Sequence, residues 1–276
     1  MKQAAELGAH TFGFVWSQDV VSALEALAEA GFRLFQVLAS PPHVDPFACA
    51  PATRDRIREV VGGCGARIVS VDLAASEYNL ASPVPEVLRF SVDCYRRAIA
   101  FAADIGAQSI TVTSGRRHLL LPAPPGRLEA TFVDAFAEVA RIAREAGLTV
   151  LFENHPQGVF PDTPSMARLL DDARFAGAAL LYDVTNALAI GEDPAAGLAA
   201  VLDRVGLVHL SDAPAGAWRH DPLGTGAVDF RAVFAAMQAG GYDGPVVAEI
   251  ISDAPLRHLV DARTYCATAM APGQAA

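Results

Sequence analysis

Hydrophobic and polar positions along the chain repeat one local pattern: an amphipathic run at helical spacing, a glycine, one small or apolar residue, then a short apolar stretch. It occurs at Ala30-Gly31-Phe32, Cys64-Gly65-Ala66, Ile105-Gly106-Ala107, Ala146-Gly147-Leu148, Val205-Gly206-Leu207 and Gly240-Gly241-Tyr242. A glycine just past a helix supplies the left-handed cap that turns the chain back toward a sheet. The stretches that follow, such as 148–152, 178–182 and 245–248, are apolar runs without alternation. Strands of that kind are buried on both faces, as in a parallel sheet covered by helices.

The spacing predicts strands near 9–15, 33–38, 67–73, 107–113, 148–153, 178–183, 205–210 and 245–251. Helices are predicted near 18–30, 52–63, 85–104, 128–146, 164–173, 194–203, 230–239 and 256–269. Ser17, Pro51, Pro85, Thr163-Pro164, Asp193-Pro194 and Asp229 supply start signals. Eight strands alternating with eight helices over about 250 residues describe a (β/α)8 TIM barrel of the α/β class. It forms one domain over 1–276, with the barrel core at about 9–270. A doubly wound open sheet is the rival, but it carries a glycine-rich turn after its first strand, and Phe14-Val15-Trp16-Ser17 is nothing like one.

Charge narrows the chemistry. The formal net charge is −10, which repels phosphate backbones and disfavours nucleic acid as a partner. Lys2 is the only lysine in the chain. Schiff-base, pyridoxal-phosphate and Walker-type phosphate chemistry each need a positioned lysine, and one in a loose terminus does not serve. Cys49, Cys64, Cys94 and Cys266 stand far apart, without C-x-x-C spacing, and read as buried reduced thiols. No stretch approaches a membrane span and the first ten residues have no apolar signal core, so a cytoplasmic protein with no membrane partner is expected.

The strand ends carry the chemistry. Segment 148–153 closes on Glu153, 179–183 on Asp183, 206–209 on His209 and 246–249 on Glu249. In a barrel, the C-terminal strand ends converge on one rim. A carboxylate that finishes a buried apolar strand is costly unless paired or metal-bound, and three together repel one another without a cation. Three oxygen donors and one nitrogen suit one divalent ion: Mn²⁺, Mg²⁺, Co²⁺ or Zn²⁺.

LFENHP (151–156), LYDVTNA (181–187), VHLSD (208–212), WRHDPLGTGAVDF (218–230) and VVAEI (246–250) give the chain its likeness to a known family. It resembles the xylose-isomerase-like TIM barrels, the superfamily of sugar isomerases and epimerases that includes ketose 3-epimerases, hydroxypyruvate isomerase and inosose-metabolising enzymes. The resemblance implies that Glu153, Asp183, His209 and Glu249 bind the metal, and that Glu153 and Glu249 also form the catalytic acid/base pair. It implies a small polyhydroxy carbonyl substrate, proton transfer through a metal-bound enediolate, and assembly into homo-oligomers.

The surrounding residues are expected to hold substrate. Arg219 and His220 lie in an Arg-His-acid-Pro stretch like that of hydroxypyruvate-isomerase-like members, where the arginine binds substrate oxygens. His155 follows Glu153 by two residues and either points into the pocket or packs in the loop. Asn186 stands where many epimerases carry a histidine, and Val159 where they carry a further glutamate. Trp16, placed at the end of the first strand, stacks on a sugar or closes the pocket, or is a rim aromatic. Arg116-Arg117-His118 and Leu223–Gly226 offer cations and amides for a phosphate, but read as well as a solvated loop and a plain turn. The reading is therefore a sugar or keto-sugar isomerase/epimerase. Its alternative is a dehydratase acting on a keto-cyclitol or related keto-polyol at the same site, with an endonuclease IV-like phosphodiesterase or a non-catalytic binding barrel behind it.

Overall fold

The computed structural model describes residues 6–269, except 75, 76, 119 and 125; Lys2 lies outside the described residues. Eight parallel strands close into a barrel in sequence order: β1 (Leu7–His10), β2 (Leu34–Leu38), β3 (Arg67–Asp72), β4 (Ser109–Thr113), β5 (Thr149–Glu153), β6 (Ala179–Asp183), β7 (Val205–Leu210) and β8 (Val246–Ala248). Around it run α1 (Val20–Glu29), α2 (Pro51–Gly63), α3 (Pro85–Asp104), α4 (Arg127–Glu145), α5 (Thr163–Leu169), α6 (Val184–Ala189), α7 (Pro194–Val201), α8 (Phe230–Ala239) and α9 (Pro255–Ala269).

Two apolar layers hold the fold. The larger lies between strands and helices and includes Phe132, Phe136, Phe152 and Phe175, whose neighbouring ring centroids lie 4.7–5.5 Å apart. The smaller fills the barrel floor with Leu34, Val69, Leu151, Leu181, Leu207 and Val247. Successive residues in a strand face opposite sides, so the residue two positions beyond an inward one also faces inward. Two beyond Leu34, Leu151, Leu181, Leu207 and Val247 stand Gln36, Glu153, Asp183, His209 and Glu249. The barrel interior is thus apolar at one level and polar at the next, toward the C-terminal rim.

Several boundaries differ from the pattern-based reading. β1 ends at His10, and residues 12–14 form a 3-10 turn because the chain is drawn against the α9 entry. A Cβ on Gly13 would lie 2.7 Å from both Ile250 O and Pro255 Cβ. Trp16 therefore does not finish the first strand. Asp19, not Ser17, caps α1, its carboxylate accepting from the amides of Val21 and Ser22. Helix α6 is additional; the Asp183 side chain, accepting from Asn186 N, starts it directly after β6. Gly206 is not a helix cap: it lies inside β7, where Leu151 and Ala179 leave no room for a side chain. All four cysteines are free; Cys94 and Cys266 are buried, whereas Cys49 and Cys64 are only partly so. Among the described residues no helix is long and apolar enough to cross a membrane.

Candidate metal centre

The polar level of β5–β8 brings four donors together. One ligand atom from each of Glu153, Asp183, His209 and Glu249 lies within 4.8 Å of the others. His209 Nδ1 stands 3.2 Å from Glu249 Oε2, 3.5 Å from Asp183 Oδ2 and 3.6 Å from Glu153 Oε1. His209 Nδ1, Asp183 Oδ2 and Glu249 Oε2 are buried without a hydrogen-bond partner. Buried polar atoms are seldom left unpaired, and here three of them face one point. Asp183 is anchored behind its free oxygen: Oδ1 accepts from Asn186 N and Thr185 Oγ1, both at 2.7 Å. The donor set of three carboxylates and one imidazole, with three of its buried atoms left unpaired, fits a divalent cation.

The field at this point is strongly negative. Burial works against a charged His209, yet Glu249, Asp183 and Glu153 raise its pKa well above the usual value. Burial pushes the Glu153 carboxyl up to about 7, assisted by Glu249 and Asp183 and opposed by His209. Burial acts the same way on Glu249, but His220 and His209 beside it hold this carboxyl well below the usual range. Three acids crowded in a low-dielectric site call for positive charge.

Strands β5 and β6 are locked together at the rim. Asn154 Oδ1 accepts from Asp183 N at 2.7 Å, and Asn154 Nδ2 donates to Asp183 O at 2.9 Å. Asn186 Nδ2 donates to Asn154 O at 2.9 Å, and Trp218 Nε1 donates to Asn186 Oδ1 at 2.8 Å. Asn186 is therefore spent on protein contacts, and its oxygen places Trp218. That ring meets His155 edge-on, with centroids 4.8 Å apart, and remains 43% exposed. His155 is buried, and burial, with Arg116 and His220 nearby, lowers its pKa to about 4, so its ring is neutral.

The loop after β7 delivers His220 to the ligands. Asp212 and Asp221 form a two-bond backbone bridge, and Ile251 N donates to His220 O at 2.8 Å. His220 Nδ1 thereby reaches 3.0 Å from Ser211 Oγ, 3.3 Å from Glu249 Oε2 and 3.7 Å from Asp183 Oδ2. Arg219, expected to bind substrate oxygens, is 61% exposed along its side chain, and its guanidinium pairs with Asp221 at 2.8 Å. Adjacent residues on an extended segment face opposite ways, so the bridge that points His220 inward turns Arg219 out. Trp16 is 83% exposed in the loop beyond β1, outside this cluster of contacts. The amides of Gly224 and Gly226 are taken up by Asp212 Oδ2 at 3.0 and 2.8 Å, so Leu223–Gly226 is a structural turn. Arg116 donates to Gln157 Oε1 at 2.7 Å, joining the loops after β4 and β5.

The early strands carry a polar group that strand-end reading passed over. Gln36 Oε1 accepts from His209 Nε2 at 2.7 Å, and Gln36 Nε2 donates to Asp72 Oδ1 at 3.2 Å. His10 Nε2 lies 3.1 Å from the same carboxylate oxygen. The signal lay in single polar residues interrupting or ending apolar strands: Gln36 inside Leu34–Leu38, Asp72 ending β3 and His10 ending β1.

Residues 24–267 match the xylose isomerase-like TIM barrel family, and the chain belongs to it. A curated relative, L-ribulose-5-phosphate 3-epimerase UlaE of Salmonella paratyphi C, is 27% identical over 218 residues, covering 76% of this chain and 75% of its own length. Among solved structures, a D-tagatose 3-epimerase-like protein superposes with a TM-score of 0.83 at 19% identity, covering 96% of this chain and 97% of its own. An L-ribulose 3-epimerase superposes with a TM-score of 0.80 at 21% identity, covering 96% and 94%. These two likenesses establish the same fold.

Proposed function

We propose that this protein is a divalent-metal-dependent sugar isomerase or epimerase acting on a small polyhydroxy ketone by proton transfer. The observation that carries the reading is the convergence of three buried, unpartnered ligand atoms with Glu153 at the mouth of a barrel. The relative named as an L-ribulose-5-phosphate 3-epimerase supports the reaction class, an inversion at a carbon beside a carbonyl.

Glu153, Asp183, His209 and Glu249 are the residues that hold the ion, and their oxygen-rich set favours Mn²⁺ or Mg²⁺ over softer metals. When bound, the ion withdraws electron density from a carbonyl and its neighbouring hydroxyl and so acidifies the adjacent C–H. Glu153 ends β5 and Glu249 directly follows β8, three strands apart round the ring, so they address the enclosed space from different sides. One carboxylate removes the proton from carbon; the other returns one to the opposite face, which inverts the centre. Return to the neighbouring carbon isomerises instead. His220, beside Glu249, and the neutral His155 supply hydrogen bonds for substrate hydroxyls, and Trp218 presents an apolar wall beside them. The resemblance also supports a homo-oligomer.

The test is a panel of ketoses, L-ribulose 5-phosphate, inososes and hydroxypyruvate, incubated in D2O with the Mn²⁺-loaded protein. The expected product is an isomer or epimer carrying deuterium from solvent, and EDTA should abolish its formation. A product that has lost water would reassign the enzyme to the lyases. Full retention of substrate hydrogen in the product would overturn the proton-transfer mechanism.

A further inference from the structure

We infer that a hydrogen-bond relay running from the backbone amide of Phe12 to His209 sets the imidazole tautomer that leaves Nδ1 bare, making Gln36 and Asp72 positioning residues for metal capture. The inference rests on the metal reading above. A backbone N–H only donates, so Phe12 N, 2.9 Å from His10 Nδ1, makes that nitrogen the acceptor. The hydrogen of the neutral His10 ring then sits on Nε2, directed at Asp72 Oδ1 and Oδ2 at 3.1 and 3.2 Å. A carboxylate only accepts, so the group of Gln36 that faces Asp72 at 3.2 Å is its NH₂. Its other polar neighbour on that side, Thr111 Oγ1 at 3.4 Å, is held by Ser70 Oγ at 2.9 Å.

The amide cannot turn over without setting its oxygen against the Asp72 carboxylate. Gln36 Oε1 consequently points at His209 Nε2, 2.7 Å away, and an acceptor there requires N–H on the imidazole. A neutral imidazole protonated at Nε2 has its lone pair at Nδ1, the atom that faces Glu153, Asp183 and Glu249. The opposite tautomer would direct a proton at the ion's position and leave two acceptors facing each other across 2.7 Å. The groups of the relay are buried, His10, Gln36 and His209 to 1% exposure or less and Asp72 to 9%. Outer partners of metal-binding histidines commonly contribute about 10–100-fold to metal affinity.

The experiment titrates the full-length, metal-stripped protein with Mn²⁺ by calorimetry, comparing wild type with Gln36→Leu and Asp72→Asn. Binding is expected to weaken by about 10–100-fold in both variants, although neither side chain touches the ion. Asp72→Asn is informative because it offers one oxygen where two donors arrive, which frees Gln36 to turn over. The second readout is nitrogen-15 NMR of Zn²⁺-loaded protein, with the His209 signals assigned by their loss in His209→Gln. The expected spectrum shows His209 protonated at Nε2 in the wild type, and loss of that signature in Asp72→Asn. Unchanged Mn²⁺ affinity in a folded Gln36→Leu variant, or His209 protonated at Nδ1 in wild type, would overturn the relay while leaving the metal site intact. Should Gln36→Leu not fold, the wild-type spectrum decides alone. A wild type that takes up no metal would overturn the metal reading and the relay with it.

Discussion

The two halves of the barrel rim use polar residues in opposite ways. On β5–β8, Asp183, His209 and Glu249 each keep one buried atom without a partner, and all three atoms face one another. On β1–β3, His10, Gln36 and Asp72 are equally buried, yet their polar side-chain atoms are paired in a chain that crosses the barrel to His209. The contrast separates binding from positioning. Unsatisfied polar atoms in a low-dielectric site raise the free energy of the chain until a ligand meets them, whereas a closed network lowers it and fixes orientations. One half is poised and the other is finished.

The sharpest way to break this comparison is to exchange single atoms in each half. Glu153→Gln and Glu249→Gln should each lower turnover by about 10²–10⁴-fold, measured at saturating Mn²⁺, because proton transfer is lost along with a charged ligand. Gln36→Leu should lose activity only through metal affinity, so that excess Mn²⁺ restores its turnover. If metal restores the glutamate variants equally well, those residues are ligands without an acid/base role.

Stability should divide the halves in the reverse sense. Leaving a buried donor without its acceptor costs about 1–3 kcal/mol. Asp72→Ala strands His10 and Gln36 and is expected to show a loss near that range in urea melts of the chelated protein. Glu153→Gln relieves repulsion among three closely placed carboxylates and is expected to be neutral or stabilising under the same conditions. Equal destabilisation by both substitutions would mean that the late half is as well satisfied as the early one.

A smaller effect sharpens the pocket side of the late half. Trp218 hangs from Asn186 by one partly buried hydrogen bond, a contact worth about 1 kcal/mol. Asn186→Ala should therefore raise KM for the substrate with less change in kcat, and Trp218→Phe should do the same. A fall in kcat alone would assign Asn186 to the chemistry instead.

The smallest expected change is a control on all of these. Burial pushes the Cys94 thiol up to about 11 and the Cys266 thiol up to about 12, so neither ionises appreciably at pH 8. In each folded variant, alkylation at that pH should label Cys49 and Cys64 and spare the other two. Labelling of Cys94 or Cys266 would mark a variant whose losses come from unfolding.

The barrel and the late-half cluster were legible because both follow from local periodicity. Apolar runs ending in Glu153, Asp183, His209 and Glu249 place each donor two residues past an inward apolar one, and a closed ring leaves such residues nowhere to go but the shared interior. The loops were read less well. Arg219 and His220 are neighbours, and only the Asp212–Asp221 bridge decides which of them faces the ligands. Trp16 reads as the end of the first strand but lies exposed in a loop, whereas Trp218, also in a loop, is held by a hydrogen bond to Asn186.

The amino-acid sequence by itself determined the strand count, the inward face of each strand and the end of the barrel at which charge collects. These depend on the two-residue repeat of a strand and on the glycines and caps between elements, all of them short-range properties. Tertiary structure alone decided that Gln36 meets His209, a residue 173 positions away, and which nitrogen of that ring is left bare. The direction of a hydrogen bond is set by what the partner can donate or accept. The partners here belong to strands that meet only when the barrel closes.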